Sequence, residues 1–203
     1  MSTGSIGFLM KIIHWVMDIP FRNLKNLEIL EVGAGNGEHL SQCKLDFSLY
    51  VQSDIRLNSN LFVADNSSFV ISDAEKLSEF KDLNYDLLIA TCLLAHLDDM
   101  YTALENWRRV IKPNGFAVIY VPCEPGIFLR ICRFFSTRRK IQGFGFNHAV
   151  LHWREHRNHF MGMRTAIRHT FRDSKIFSLR LPFPFLPWEL NLFQIYWIQR
   201  KVS

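Results

Sequence analysis

Short apolar runs alternate with polar, turn-rich stretches along most of the chain, and their spacing predicts strands joined by helices. Leu27 to Val32 is one such run, consistent with a buried strand. Tyr50 to Ser53 predicts a second strand ending in Asp54, Phe69 to Ser72 a third, Tyr85 to Ala90 a fourth and Phe116 to Val121 a fifth. About Met100 to Ile111 reads as a helix, stopped by Lys112-Pro113-Asn114-Gly115, where Pro and Gly are ordinary stop signals. Lys175 to Leu181 and Leu192 to Gln199 read as strands six and seven. Strands alternating with helices predict a parallel sheet built from βαβ units.

The first strand runs into Gly33-Ala34-Gly35-Asn36-Gly37. A turn with so few Cβ atoms lets a ligand approach the backbone. Glu38 to Cys43 is expected to open a helix, whose unpaired N–H groups would face that ligand. Dinucleotide enzymes use G-x-G-x-x-G, but here the spacing is G-x-G-x-G and Glu38 stands at the third-glycine position. Glu31, two residues before the first glycine, suits an ammonium group better than a pyrophosphate.

Taken together, Glu31-Val-Gly-Ala-Gly-Asn-Gly37, Ser53-Asp54, Ser72-Asp73-Ala-Glu-Lys-Leu77, Tyr85-Asp86-Leu-Leu-Ile89 and Ile111-Lys-Pro-Asn-Gly115 resemble a class I S-adenosylmethionine-dependent methyltransferase. The likeness is to the small-molecule type related to quinone-biosynthesis methyltransferases and covers about residues 27–121. It implies an α/β, Rossmann-like three-layer sandwich. Its seven-stranded sheet would be mostly parallel with an antiparallel last strand, and a helical cap would be inserted after strand five. The chain then divides into an N-terminal helix (1–25), a cofactor core (27–121), a basic cap (122–172) and C-terminal strands (173–203). The resemblance also implies roles for S-adenosylmethionine. Glu31 and the turn of Gly33, Ala34, Gly35 and Gly37 face its methionine end. Asp54 binds the ribose and Ile55 packs on adenine. Asp73 meets the adenine amino group beside Ala74, and Thr91 and Cys92 border the sulfonium. Read from the residues alone, Asp54 can equally cap the next segment and Asp73 a turn. His96, where such proteins commonly carry a histidine, can hold its loop through a backbone carbonyl or move a proton. One departure stands out. Ile55 to Ser68 is only fourteen residues, rich in Asn and Ser, so the usual helix between strands two and three must be short or irregular.

Composition narrows the setting. A chain of 203 residues fits one domain with a cap. The apolar run from Ile6 to Ile19 is interrupted by Lys11, His14 and Asp18, too short and too polar to span a bilayer. Its apolar positions 6, 9, 13 and 16 predict a helix packed on the fold. It lacks the marks of a secretory leader, and Cys43, Cys92, Cys123 and Cys132 show no C-x-x-C spacing, which points to reduced thiols and a cytoplasmic setting.

Charge changes the picture more. Residues 126–172 hold ten Lys or Arg against one acid, Glu155, which gives +9; the rest holds fourteen basic against eighteen acidic residues, which gives −4. Gly126 to Phe135 reads as a short amphipathic helix. Asn147 is expected to cap a long helix from His148 to about Phe171. Around that helix Ala149, Trp153, Phe160, Met163, Ile167 and Phe171 form an apolar stripe. Arg154, Arg157, Arg164, Arg168 and Arg172 line one flank, and His148, His152, His156 and His159 line the other. His152-Trp-Arg-Glu155-His156 matches an H-x-x-E-H pattern, but an arginine sits inside it and no third ligand can be named, so no metal is assigned. The histidine row then reads either as substrate contacts or as a solvated edge.

Such a cap suits an anionic small molecule or a lipid- or sugar-linked intermediate, an anionic membrane surface at the cytoplasmic face, or RNA. RNA is disfavoured because Ala90-Thr91-Cys92-Leu93 replaces the Asn/Asp-Pro-Pro-aromatic motif of base-amino enzymes. A non-catalytic protein on the same fold is the rival reading, and the oligomeric state stays open. A hydroxyl acceptor benefits from a base of near-neutral pKa; His96, His148 and His152 are the candidates, with Glu124 behind them. Pro182 to Pro187 predicts a stiff aromatic loop that either walls a substrate pocket or covers the sheet edge.

Overall fold

The computed structural model describes residues 5–142 and 154–201. The N-terminal helix α1 is Ser5–Asp18, followed by a 3-10 turn at Ile19–Phe21. The strands are β1 Leu27–Val32, β2 Phe47–Asp54, β3 Ser67–Ile71, β4 Tyr85–Thr91 and β5 Ile111–Pro122, with α2 Met100–Val110 between the last two. α3 (Ile127–Gln142) and α4 (Phe160–Thr170) precede β6 (Lys175–Leu181) and β7 (Phe193–Gln199). The seven strands lie in the order β3-β2-β1-β4-β5-β7-β6. β1 to β5 are parallel, and β7 runs antiparallel to both neighbours. This is the Rossmann-like sheet expected above.

Alternation along the strands builds two cores. Leu27, Ile29, Leu87, Ile89, Val118 and Trp197 face α1 and bury Ile13, Met17 and Phe21. Leu30, Leu88, Ala90, Ile119 and Tyr196 face α2 and α4, burying Trp107, Phe160, Met163, Ile167 and Phe171. Central strands covered on both faces read as continuous apolar runs, which is why β1 and β4 were legible.

Four expectations are corrected. Glu38 to Cys43 is no α-helix: turns lead into a 3-10 turn at Leu40–Gln42. Its N-terminal side is pinned by Gly37 N donating to Ala34 O at 2.8 Å. The inner face of α1 extends beyond the expected 13 and 16: Ile13 is buried and Val16 packs half-buried on the same core, but His14, Met17 and Asp18, each at most 3% exposed, complete it. The helix expected from His148 to Phe171 is broken: residues 154–155 are helical and a helix resumes at Phe160, but 156–159 are not helical. There, Arg157 N and Asn158 N both donate to Ala95 O (2.9 and 3.1 Å), and Asn158 Nδ2 donates to Leu94 O and Leu97 O (3.0 and 2.7 Å). Tertiary hydrogen bonds to the β4 loop thus replace the helical ladder. Finally, Lys112 to Gly115 lies inside β5 as a bulge, since Ile111 pairs with Tyr85 and Phe116 with Leu87. His148, His152, Ala149 and Trp153 fall outside the described residues.

The short connection after β2 is irregular, as anticipated. Asn60 N donates to Asn58 Oδ1 at 3.1 Å, and Phe62 N reaches across to Asn36 O at 2.9 Å. This loop therefore lies against the glycine turn.

Candidate cofactor and acceptor site

The three glycines take positive φ for three different reasons. Gly33 (φ 69°) has the Leu93 side chain 2.8 Å from where a Cβ would stand. Gly37 (φ 72°) has Gln52 Oε1 at 2.6 Å and Phe62 O at 2.8 Å there. Gly35 (φ 56°) has nothing within 4 Å, so its missing side chain leaves open space. That space belongs to a cavity of about 330 Å³ at the carboxyl ends of β1 and β4, lined among others by Glu31, Gly33, Ala34, Gly35, Thr91 and Cys92. Crevices at this edge of an open α/β sheet are where such folds bind ligands.

Of the residues tied to the cofactor by resemblance, Gly37, Asp54, Ile55, Asp73 and Ala74 stand outside that lining. Asp54 Oδ2 accepts from Gly35 N at 2.9 Å and fastens β2 to the glycine turn, keeping further lone pairs for a hydroxyl. Ile55 is 64% exposed beside it. Asp73 Oδ1 accepts from Glu75 N at 2.9 Å and Oδ2 pairs with Lys76 at 3.1 Å; these contacts, the backbone bond first, hold its carboxyl below the usual range. Asp73 thus caps its turn.

Beneath the cavity lies a polar cluster that sequence patterning missed. Glu31 is buried and accepts from Tyr50 Oη at 2.8 Å. Burial pushes its carboxyl up, against the opposing charge of His39 and the Tyr50 bond. His14 Nδ1 and His39 Nδ1 are 2.9 Å apart, and His39 Nε2 is 3.3 Å from Asp18 Oδ1. Burial, then His39, lowers His14 to about 3. Burial opposes the cation at His39, but the contact with Asp18 and the charges of Glu31 and Asp18 outweigh it and raise His39. The proton therefore belongs to His39, which donates Nδ1–H to the lone pair of neutral His14. Asp18, His39 and Cys43 bring ligand-type atoms within 4.8 Å of one another. A metal would need a thiolate and a neutral imidazole, yet burial pushes Cys43 up to about 12 and His39 is the cation. The set is an internally balanced ion pair. The only sequence signal for it was polar residues interrupting the stripe of α1.

A second polar group stands above β4 and β5. Glu124, 3% exposed, pairs with Arg133 and lies 2.8 Å from His156 Nδ1. The His156 ring packs edge-on to His96, centroids 4.5 Å apart. His96 Nδ1 lies 2.9 Å from Glu155 O, so Nδ1 carries the donated hydrogen and Nε2 the lone pair. Burial, then nearby His156, lowers His96 and keeps it neutral. Cys92 links this group to the cavity. It lines the cavity, and burial pushes its thiol up to about 12, with Glu124 reinforcing and Arg133 opposing. Glu124 and His156 are the pair the sequence reading ranked low or overlooked, because their partnership crosses 32 positions.

The arginine flank also resolves. Arg157 pairs with Asp98, and Arg172 lies 3.6 Å from Asp173. The acidic body thus neutralises part of the basic cap.

Residues 30–119 match a family model described as "Methyltransferase domain". Among curated proteins, a hybrid PKS-NRPS synthetase of Xenoacremonium sinensis is 32% identical over 133 residues, 60% of this chain but 3% of that protein. One of Acremonium sp is 31% identical over 113 residues, 49% of this chain and 3% of its own length. The chain therefore spans a small fraction of the curated relatives it matches. Among solved structures, the carbon methyltransferase of CurJ superposes with a TM-score of 0.66 at 17% identity, covering 95% of this chain and 54% of that one. A SAM-dependent methyltransferase from Archaeoglobus fulgidus gives 0.63 at 17% identity, covering 95% and 93%. At these identities the superpositions speak for the fold.

Proposed function

Taking as premise that residues 30–119 are a methyltransferase domain and that its cofactor is S-adenosylmethionine, we propose that the chain methylates an oxygen or nitrogen of an anionic small molecule or a lipid- or sugar-linked intermediate. The observation that carries this reading is a shared sheet edge. The cavity lined by Gly35, Thr91 and Cys92 and the group of Glu124, Arg133, His156 and His96 both stand beyond the carboxyl ends of the paired strands β4 and β5.

Gly35 supports this fit, since a Cβ there would project into open space that a ligand could fill. Glu31 and the 33–35 backbone would hold its amino-acid end and Asp54 its ribose. Bound there, the cofactor supplies an electrophilic methyl group on a sulfonium. The chain's own task is to align the acceptor and keep water out. A hydroxyl acceptor loses a proton, and neutral His96 has a lone pair on Nε2 to receive it. Glu124 fixes the ring of His156 beside it and holds Arg133, which adds positive charge for an anionic acceptor. His148 and His152, outside the described residues, remain candidates for the same proton transfer. A carbon acceptor is a second reading, favoured by the likeness to the CurJ carbon methyltransferase.

Peripheral membrane contact is part of the same proposal. Ile127, Ile131 and Phe134 leave one side of α3 exposed beside Arg130, and no helix among the described residues is long and apolar enough to cross a bilayer. Calorimetry with S-adenosylmethionine tests the core. Micromolar binding is expected, and no heat at millimolar cofactor removes the reading. Product analysis after incubation with phosphorylated sugars and lipids then decides between oxygen, nitrogen and carbon.

A further inference from the structure

A second hollow of about 240 Å³ lies between α4 and the β6–β7 hairpin, away from the cofactor cavity. Arg164 and Arg168 enter it from α4, Arg180 and Ser178 from β6, Gln194 from β7 and Trp188 from the turn before β7. Arg164 and Arg168 sit four residues apart on one helix, a spacing at which like charges repel. Among the described residues, none of the three arginines makes an ion pair or a side-chain hydrogen bond. That separates them from Arg133, Arg157 and Arg172, which pair with Glu124, Asp98 and Asp173.

One buried group points the same way. Tyr196, next to Gln194 on the same face of β7, is fully buried, and its hydroxyl has no hydrogen-bond partner. Burial pushes it up, while the charges of Arg164, Arg168 and Arg180 all pull against that shift. Three guanidinium groups thus line one hollow, and an unsatisfied hydroxyl lies buried on the adjoining strand. A buried hydroxyl is rarely left unpartnered. Guanidinium forks match the oxygens of phosphate, two at a time.

We propose that Arg164, Arg168 and Arg180 form a binding site for a phosphate or diphosphate group, completed by the donors of Ser178 and Gln194. The inference rests on the anionic-acceptor reading above and names its charged part. Trp188 connects the two regions. It stacks on Phe160 at 4.9 Å and 22°, and Phe160 N donates to Glu124 O at 2.8 Å. A diphosphate held here anchors one end of an acceptor whose other end reaches the Glu124–His156 edge.

The test is calorimetric titration of inorganic pyrophosphate into the full chain without cofactor, at low salt. Wild type is expected to bind, and R164M/R168M/R180M to lose at least tenfold in affinity while S-adenosylmethionine binding is unchanged. Should the triple variant not fold, R168M, at an exposed position, is expected to weaken binding several-fold. No binding by wild type at millimolar pyrophosphate, or equal binding by the variants, overturns the site. Vesicles of phosphatidic acid, against phosphatidylcholine alone, separate the sources. Charge-dependent sedimentation lost in the variant assigns a lipid headgroup; sedimentation unchanged while pyrophosphate binding is lost assigns a soluble phosphorylated acceptor. Because pyrophosphate binding is read without cofactor, it stands or falls separately from methyl transfer. Methylation of an anionic acceptor at equal rates by wild type and variant would sink this site alone.

Discussion

Two charged regions of this molecule solve opposite problems. Under the cofactor cavity, Asp18, His39, His14 and Glu31 are buried and balance one another, with a cation flanked by two carboxylates and its second nitrogen bonded to a neutral imidazole. In the hollow beside α4, three arginines share one space without a carboxylate in ion-pairing range among the described residues. In the first set Asp18, His39 and His14 match one another and act as a foundation, while Glu31 also lines the cavity above them. The second is left unmatched, which is how a recognition site differs from a support. The largest expected loss of cofactor binding tests what the foundation supports. Gly35→Val puts a branched side chain into open space at φ 56°. It is expected to weaken S-adenosylmethionine binding roughly a hundredfold or more, about 2.7 kcal/mol, with far-UV circular dichroism unchanged. Calorimetry within tenfold of wild type would show that the cofactor does not approach this turn.

Breaking the balanced set comes next. Asp18→Asn leaves the His39 cation without its nearer carboxylate. Removing one partner of a buried pair costs about 3–5 kcal/mol; His39 can shed its proton, so about 3 is expected, a fall in Tm of roughly 6–12 °C. A change under 2 °C would mean that Asp18 and His39 are not coupled.

The same cluster sets a pH dependence. His14 is lowered from 6.5 to about 3, so between those values the unfolded chain binds more protons than the folded one, and stability falls as pH drops through that window. By linkage this amounts to at most something on the order of 5 kcal/mol. His39 is raised, so its contribution is full below 6.5 and is lost as pH climbs through its folded value. Together the pair places the stability optimum near pH 6.5, measurable as Tm across pH 4 to 9. His14→Asn keeps an acceptor for His39 and should flatten the acid limb; an equally steep limb in that variant excludes His14 as its cause.

How much of this was legible in sequence follows from the range of each interaction. β1, β4 and the glycine turn were readable because buried strands and Gly-rich turns are written in consecutive residues. β6 matched residue for residue, since Asp173-Ser174 precedes it and Pro182 follows it. Helices failed where tertiary contacts won. Asn158, bonded to Leu94 and Leu97, ends a helical pattern that its own neighbours favour. His14 and Asp18 read only as polar interruptions of an apolar run, because nothing local announces His39 as their partner, 25 and 21 positions away. Asn191 went unnoticed although its partners are near in sequence, because nothing in the pattern of a proline-rich loop says that a later side chain clasps it. Its buried side chain bonds Phe183 N and the carbonyls of Phe183 and Pro187, clasping the 182–187 loop whose Phe185 is 97% exposed.

The smallest effect separates the two regions most sharply, because its sign is unusual. Arg168→Met keeps an aliphatic stem to pack along α4 and removes one of two like charges four residues apart. In 10 mM salt without phosphate the variant is expected to be more stable than wild type by roughly 0.2–0.5 kcal/mol, about 1 °C in Tm. That gain should vanish at 1 M salt, where the screening length falls to about 3 Å. Adding pyrophosphate should then reverse the order, because a ligand that binds only the folded state stabilises by about 2.7 kcal/mol at a hundred times its Kd, and the variant lacks part of the site. An arginine that merely packs would lose stability on substitution under every condition. An arginine kept for a ligand costs the empty protein and benefits the loaded one, so a variant that is less stable both with and without pyrophosphate would place Arg168 among the supports and remove the contrast between the two regions.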